Sequence, residues 1–253
     1  MRQDFSEGAG TGDYPPMVLL HGIFGKPADW NECERYFGGS CEVFAPKLPL
    51  EETNRAKRNL EHVVDHVTDF LDSHGMDRVI LGGNSFGGHV ALHVALRCRM
   101  RVAALILTGS SGLFERGYER RVPHRPDRAW LKAKMREVFF DEALVTDSFV
   151  EEIRELLSDR GRIAALVRMA ASAKRDNLRE LLHEIRMPVL LVWGTNDNIT
   201  PPSVAHEFKE LLPLAELEFI DECGHAPSLE KPREFNRIVQ RFLQRHFVPL
   251  HAG

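Results

Sequence analysis

Short apolar runs near residues 17–21, 42–46, 78–82, 102–108, 189–193 and 216–220 predict strands, and the stretches between them change to helical spacing. Residues 59–74 set Leu60, Val63, Val64, Val67, Phe70 and Leu71 on one helical face, and residues 230–246 repeat the pattern at the C-terminal end. This alternation favours one α/β sheet domain plus an insertion, and 253 residues suffice for one large core. Between Gly112 and about Arg186 the pattern breaks. No strand is expected there, only short amphipathic helices near 130–139, 148–157 and 162–173, before Pro188 restarts the sheet. The expected organisation is a flexible lead-in over 1–16, a sheet domain over 17–111 and 187–253, and a helical insertion over 112–186.

The third apolar run enters Gly83-Asn84-Ser85-Phe86-Gly87-Gly88, and residues 89–96 behind it read as a helix. A serine between strand and helix sits on a sharp turn with its hydroxyl exposed, which makes Ser85 a candidate nucleophile. Serine needs a base, and the base an orienting acid. Asp197 lies just past the 189–193 run, and His225 just past the 216–220 run. Residues beyond the carboxyl ends of parallel strands converge on one rim, so Ser85, Asp197 and His225 are expected together despite the 112 residues between the first two. The alternative roles are a turn serine, a turn former or helix cap at Asp197, and a surface loop histidine. Asp221 is the rival acid, but it stands too close to His225 in sequence to orient the ring easily. His21-Gly22-Ile23-Phe24-Gly25 follows the first strand and can aim a backbone N–H at a developing oxyanion, so Ile23 and Phe86 are the expected donors. His21 reads as a brace for that turn. Trp30, Trp130 and Phe24 fit core or pocket wall as well as substrate contacts, and Cys223 reads as a small packed residue.

Four pieces together, His21-Gly22-x-x-Gly25, the Ser85 pentapeptide, Trp193-Gly194-x-x-Asp197-x-x-x-Pro201 and Gly224-His225, resemble the α/β-hydrolase family in order and spacing, from Met17 to about Phe247. The resemblance implies an eight-stranded, mostly parallel sheet, a helical cap formed by the insertion, a Ser85–Asp197–His225 triad and no cofactor or metal. It also implies cleavage of a small-molecule carboxylic ester or thioester through an acyl-enzyme. A serine at this position argues against the aspartate-nucleophile branches, the haloalkane dehalogenases and epoxide hydrolases.

Net charge is −4 and the isoelectric point about 6.3, which gives no basis for nucleic-acid binding. The N-terminal stretch lacks the apolar core of a signal peptide, and no apolar run approaches the ~20 residues that span a bilayer. The four cysteines show no metal spacing. A reduced, cytoplasmic setting is the simplest reading, with a Cys33–Cys41 bridge as the open alternative. From Gly112 to Arg136 the chain carries net +5: Arg116, Arg120, Arg121, Arg125, Arg128, Lys132, Lys134 and Arg136 against Glu115, Glu119 and Asp127. This is either a solvated helix face or a device that steers an anionic substrate.

Three further readings bear on substrate. The Ser85 segment and Glu222-Cys223-Gly224-His225 look like carbon–carbon bond hydrolases of aromatic ring-cleavage pathways. That resemblance implies an aromatic residue after the histidine, where this chain has Ala226, and a cap arginine, for which Arg154, Arg160 and Arg162 are candidates. The segment 21–25 with Asp29-Trp30 is similar to a menaquinone-pathway synthase of the same fold, which expects arginine where His89 stands. A receptor of this fold with little turnover could keep all three triad residues. Oligomeric state is not legible from the residues.

Overall fold

The structure is a computed structural model that describes residues 13–52, 54–114 and 127–247. Six strands form one sheet: β1 (Met17–Leu20), β2 (Val43–Phe44), β3 (Val79–Asn84), β4 (Val102–Thr108), β5 (Val189–Gly194) and β6 (Ala215–Ile220). Their order is β2-β1-β3-β4-β5-β6, and every pairing is parallel. Each expected run becomes a strand, although the 42–46 run shrinks to two residues. The expected eight strands are six among the described residues, because each strand grows from one of the six apolar runs. The upstream segment 1–12 lies outside the described residues, so a flexible lead-in there is not described either. Residues 13–16 are described, and there Tyr14 holds the chain: its N–H donates to Ser40 O at 3.2 Å, and its ring meets Phe247 edge-on at 6.4 Å.

Alternation along the strands divides the core into two faces. Val18, Leu20, Leu81, Leu105, Leu107, Val189 and Leu191 pack with α2 (Leu60–Ser73), α3 (Phe86–Arg97) and α7 (Pro202–Leu211). Met17, Leu19, Ile80, Ile106, Leu190 and Val192 pack with α1 (Asn31–Phe37) and α9 (Pro232–His246). Trp30 belongs to the second face, its ring 6.2 Å from Phe235. Cys33 and Cys41 are also buried there as free thiols, so there is no Cys33–Cys41 bridge. Cys33 Sγ instead donates to Asn236 Oδ1 at 3.1 Å, and burial pushes the two thiols up to about 12 and about 11. Among the described residues no helix is long and apolar enough to cross a membrane.

Between β4 and β5 come α4 (Arg128–Met135), α5 (Asp147–Leu156) and α6 (Arg160–Arg175), close to the predicted bounds. They do not form one unit. Leu131, Met135, Phe139, Val145 and Val150 of the first part make a small core of their own, closed from the sheet side by Ala226. Leu166, Met169 and Ala173 of α6 join the main core instead. A side α8 turn (Pro227–Glu230) connects the end of the sheet to α9.

Candidate active site

The sheet order reverses beside β1, which has β2 on one side and β3 on the other. In open parallel sheets the crevice at such a switch point, outside the carboxyl ends of the strands, is where ligands bind. Register brings these ends level: Leu20 pairs with Gly83, Asn84 with Thr108, and Gly194 with Ile220. The residues that follow therefore share one rim.

Ser85 leaves β3 at φ 55°, ψ −119°, a region that L-residues seldom occupy. The turn is closed by Gly88 and His89 N–H groups donating to Ser85 O at 3.0 and 3.2 Å, and Ser85 N–H donates to Thr108 O at 3.0 Å. Strand and helix pass so close that a Cβ on Gly87 would lie 2.1 Å from Leu20 O. Phe86 opens α3, so its N–H is among the helix-terminal donors with no partner inside the helix. The turn after β1 lies alongside: a Cβ on Gly22 would come within 3.4 Å of Ser85 Cβ. Ile23 is thus in the neighbourhood expected of an oxyanion donor. His21 is buried and braces this turn. Its Nε2 accepts from Leu48 N–H at 3.1 Å, which leaves the proton on Nδ1 to meet Gly22 O at 2.9 Å. Burial, with a smaller push from Lys47, holds its pKa below the usual histidine value and keeps it neutral.

The structure brings Asp197 and His225 together, with Oδ2 and Nδ1 2.9 Å apart and both side chains buried. The two carboxylate oxygens divide their work. Oδ1 accepts from Ile199 and Thr200 N–H at 2.8 and 2.9 Å; Oδ2 takes the Thr200 hydroxyl at 2.9 Å together with the imidazole. Asp197 is therefore a turn former and the histidine's partner at once. It is not a helix cap, since α7 starts at Pro202 behind Pro201. A buried carboxylate is tolerated only when its lone pairs are filled, and this one has four donors. With the proton on Nδ1, His225 keeps a lone pair on Nε2 for a base's work. Asp221, the rival acid, is exposed.

Four supports were not singled out from the sequence. Asn84, the variable position before the serine, donates through Nδ2 to Thr108 O and His225 O at 3.0 and 2.9 Å, tying the turn to the histidine loop. Thr200 orients Asp197 and also lies 3.3 Å from His225 Nδ1. Gly109, at φ +50°, leaves room for the ring, because a Cβ there would sit 2.7 Å from Nδ1. Glu230 joins the histidine loop to the insertion: Oε1 accepts from Gly224 N–H at 2.9 Å, and Oε2 from Phe140 N–H at 2.7 Å. Beside it His225 N–H donates to Val138 O at 2.8 Å. Burial raises the Glu230 pKa against the opposing pull of these backbone donors. Of the four, only Thr200 left a trace, as a hydroxyl three residues after an aspartate, the spacing of an Asx-type turn.

A cavity of about 200 Å³ lies beside the β1 turn, lined by Ile23, Phe24, Leu48 and Leu50 from the sheet side and by Ile153 and Leu156 from α5. Ser85 does not line it; the cavity abuts the oxyanion side of the rim. Lys26 pairs with Glu152 at 2.7 Å across its mouth. Phe24 is half exposed and belongs to this wall, whereas Trp130 packs against the small core of the insertion.

The Alpha/beta hydrolase family model matches residues 17–238. The chain belongs to that family. The chain is 32% identical, over 91% of its length, to the dihydrolipoyllysine-residue acetyltransferase component of the acetoin cleaving system of Pseudomonas putida, and it spans 64% of that protein. It is 28% identical to pimeloyl-[acyl-carrier protein] methyl ester esterase of Nitrosomonas europaea, with 89% of this chain and 94% of the esterase covered. It is also 28% identical to 2-hydroxy-6-oxo-2,4-heptadienoate hydrolase of Pseudomonas putida F1, over 90% and 88%. Among solved structures, an alpha/beta hydrolase enzyme from the sediment metagenome of the Mar Chica lagoon, Morocco, superposes with a TM-score of 0.74. That pair is 32% identical, with 96% of this chain and 99% of the other covered. Relatives of this α/β hydrolase thus include both ester and carbon–carbon bond hydrolases.

Proposed function

We propose that this α/β hydrolase cleaves a small-molecule carboxylic ester or thioester through an acyl-enzyme on Ser85. The observation that carries the reading is the buried 2.9 Å Asp197–His225 pair on the rim that also holds Ser85 at positive φ. His225 Nε2 takes the Ser85 proton as Oγ attacks the acyl carbonyl. The Ile23 and Phe86 N–H groups receive the oxyanion. His225 then gives the proton to the leaving oxygen or sulfur and activates a water that releases the acid. Asp197 fixes the ring tautomer and stabilises the imidazolium. Each step moves one proton through His225 and needs no cofactor. The described helices of the insertion act as a cap at this rim, and the cavity between Leu48, Leu50 and α5 accommodates part of the substrate.

The test is p-nitrophenol release from a series of short to medium acyl esters, with Ser85→Ala as control. Sustained turnover that falls at least about 10⁴-fold in the variant supports the reading. A single burst without recycling would move it to a receptor-like binder.

Carbon–carbon bond cleavage is the second reading, favoured by relatives such as the heptadienoate hydrolase. The structure offers it less support. Arg154, Arg160 and Arg162 are all exposed; Arg154 pairs with Glu151, and Arg162 with Glu51 at 3.2 Å. Ala226, in place of an aromatic residue, is spent on the small core of the insertion. Turnover of a ring-cleavage dienone faster than of every ester in the series would reverse this ranking.

An anionic substrate is the weakest part of the proposal. Within the described half of the basic segment, Arg128 and Lys132 face Asp147 at 3.8 and 3.5 Å, Lys134 pairs with Glu137 at 2.8 Å, and Arg136 with Glu142 at 3.0 Å. These favour a solvated helix face. Arg116, Arg120, Arg121 and Arg125 lie outside the described residues. Steering by them predicts a salt-sensitive rate on a carboxylated ester.

A further inference from the structure

Behind the candidate nucleophile, α3 carries a second group of chemistry-bearing residues that the reaction does not use. His89 and His93 are one helical turn apart and face the same way. Both Nε2 atoms point at one oxygen, Asp176 Oδ1, at 3.1 and 2.8 Å. Asp176 is the residue that caps α6, so the group joins the nucleophile helix to the end of the insertion. The carboxylate is held in place by its neighbours: Leu178 N–H donates to Gly112 O at 2.8 Å, and Asn177 Nδ2 to Leu113 O at 3.0 Å. On the other side the His89 ring is fully buried and packs against Gly112, where the insertion begins.

We propose that His89, His93 and Asp176 form a structural site for a divalent transition ion, Zn²⁺ by preference, which fastens the end of α6 to α3. The three ligand atoms already lie within 4.8 Å of one another. Zn–N and Zn–O bonds of about 2.0–2.2 Å at tetrahedral angles set neighbouring ligand atoms about 3.3–3.6 Å apart. The metal enters if the hydrogen bonds lengthen, by about 0.2–0.5 Å at His89 and about 0.5–0.8 Å at His93, and if the proton of each imidazole moves from Nε2 to Nδ1. The donor chemistry suits the ion: two imidazoles and one carboxylate are a common zinc set, with a fourth position left for water. His93 and Asp176 are partly exposed, which gives the ion a way in and the water a place. The site is independent of whether Ser85 turns over esters.

The test uses tag-free full-length protein stripped with chelator. Zn²⁺ is added with calorimetry and thermal melting, and Co²⁺ with visible spectroscopy. One ion per chain is expected, with a Tm rise of roughly 5–10 °C at a hundredfold excess over Kd and the visible bands of four-coordinate Co²⁺. His93→Gln and Asp176→Asn should each abolish the bands and most of the shift. Absence of Co²⁺ bands in the wild type overturns the proposal without recourse to any variant. A Tm rise that persists in both variants overturns it as well, by assigning the metal to other histidines.

Discussion

The rim of the sheet and the small core of α4 and α5 meet at the His225 loop, and they are built on different principles. On the rim, positions are fixed by backbone against backbone. Strands with almost no exposed surface end level, Ser85 is held at positive φ, and Gly87 has no room for a side chain. In the insertion, five buried side chains and Ala226 from the histidine loop make a small core, and its links to the rim include the Glu230 carboxylate, a backbone bond from His225 to Val138 and the Lys26–Glu152 ion pair. The first arrangement resists displacement because nothing can move without breaking the sheet. The second can open by exchanging a few hydrogen bonds for water. An enzyme that must both hold a reacting geometry and admit a substrate benefits from that division.

The strongest way to break this contrast is to strike the rim where backbone meets backbone. Gly87→Ala puts a Cβ 2.1 Å from Leu20 O, which no rotamer change relieves. We expect loss of folded protein, or a Tm far below wild type together with lost turnover; thermal melting and esterase assays report both. A stable, active Gly87→Ala enzyme would show that the rim yields as readily as the insertion.

A matched pair of core truncations sharpens it. Leu107 in β4 and Phe139 in the insertion are both buried. Leu107→Ala should cost about 2–5 kcal/mol in global unfolding by denaturant. Phe139→Ala removes a larger side chain, yet the global midpoint should move less, while amide exchange in α4 and α5 accelerates. Equal midpoint shifts would make the insertion and the sheet one cooperative unit.

These differences explain what the residues disclosed. The strands, α2, α9 and the insertion helices were legible because burial imposes a period on each. Ser85, Asp197 and His225 were legible because each follows a strand end at the rim, and order along the chain translates into position there. Asn84, Gly109 and Glu230 were not, since their roles depend on loops meeting across 141, 116 and 90 residues of chain at the longest of their contacts. Nothing periodic marks such meetings. The split of the insertion between two cores escaped for the same reason: α6 carries an apolar face much as α4 does, and only packing tells which core it serves.

Glu230 tests the hinge between the two regions. In Glu230→Gln one end of the side chain can still accept, from Gly224 N–H or from Phe140 N–H, while its NH₂ faces a second N–H and repels it. Hydrogen bonds to a charged group are worth about 1.5–3 kcal/mol, so a loss of roughly tenfold in kcat/KM is expected on steady-state ester assays. Faster exchange at 138–141 and an unchanged global midpoint should accompany it. A positioning role for Glu230 at His225 predicts that kinetic loss, so a variant with altered stability and intact kinetics would remove it from that role.

The smallest effect separates the two sides by pH. His21 braces the oxyanion side of the rim through Nε2, which can accept from Leu48 N–H only while unprotonated. Burial lowers its folded pKa, and Lys47 adds to the shift, against the Gly22 carbonyl that favours the charged form. The unfolded chain binds a proton near 6.5, the ordinary histidine value, which the folded chain resists. The stability contributed by neutral His21 is therefore complete above about pH 6.5 and declines as pH falls below it. His21→Gln retains an acceptor for Leu48 and titrates nothing, so urea midpoints at pH 7 and pH 5 should differ less in the variant than in the wild type. An identical pH slope in both proteins would mean that His21 is not held neutral by its place in the rim, and the brace would then be a matter of shape alone.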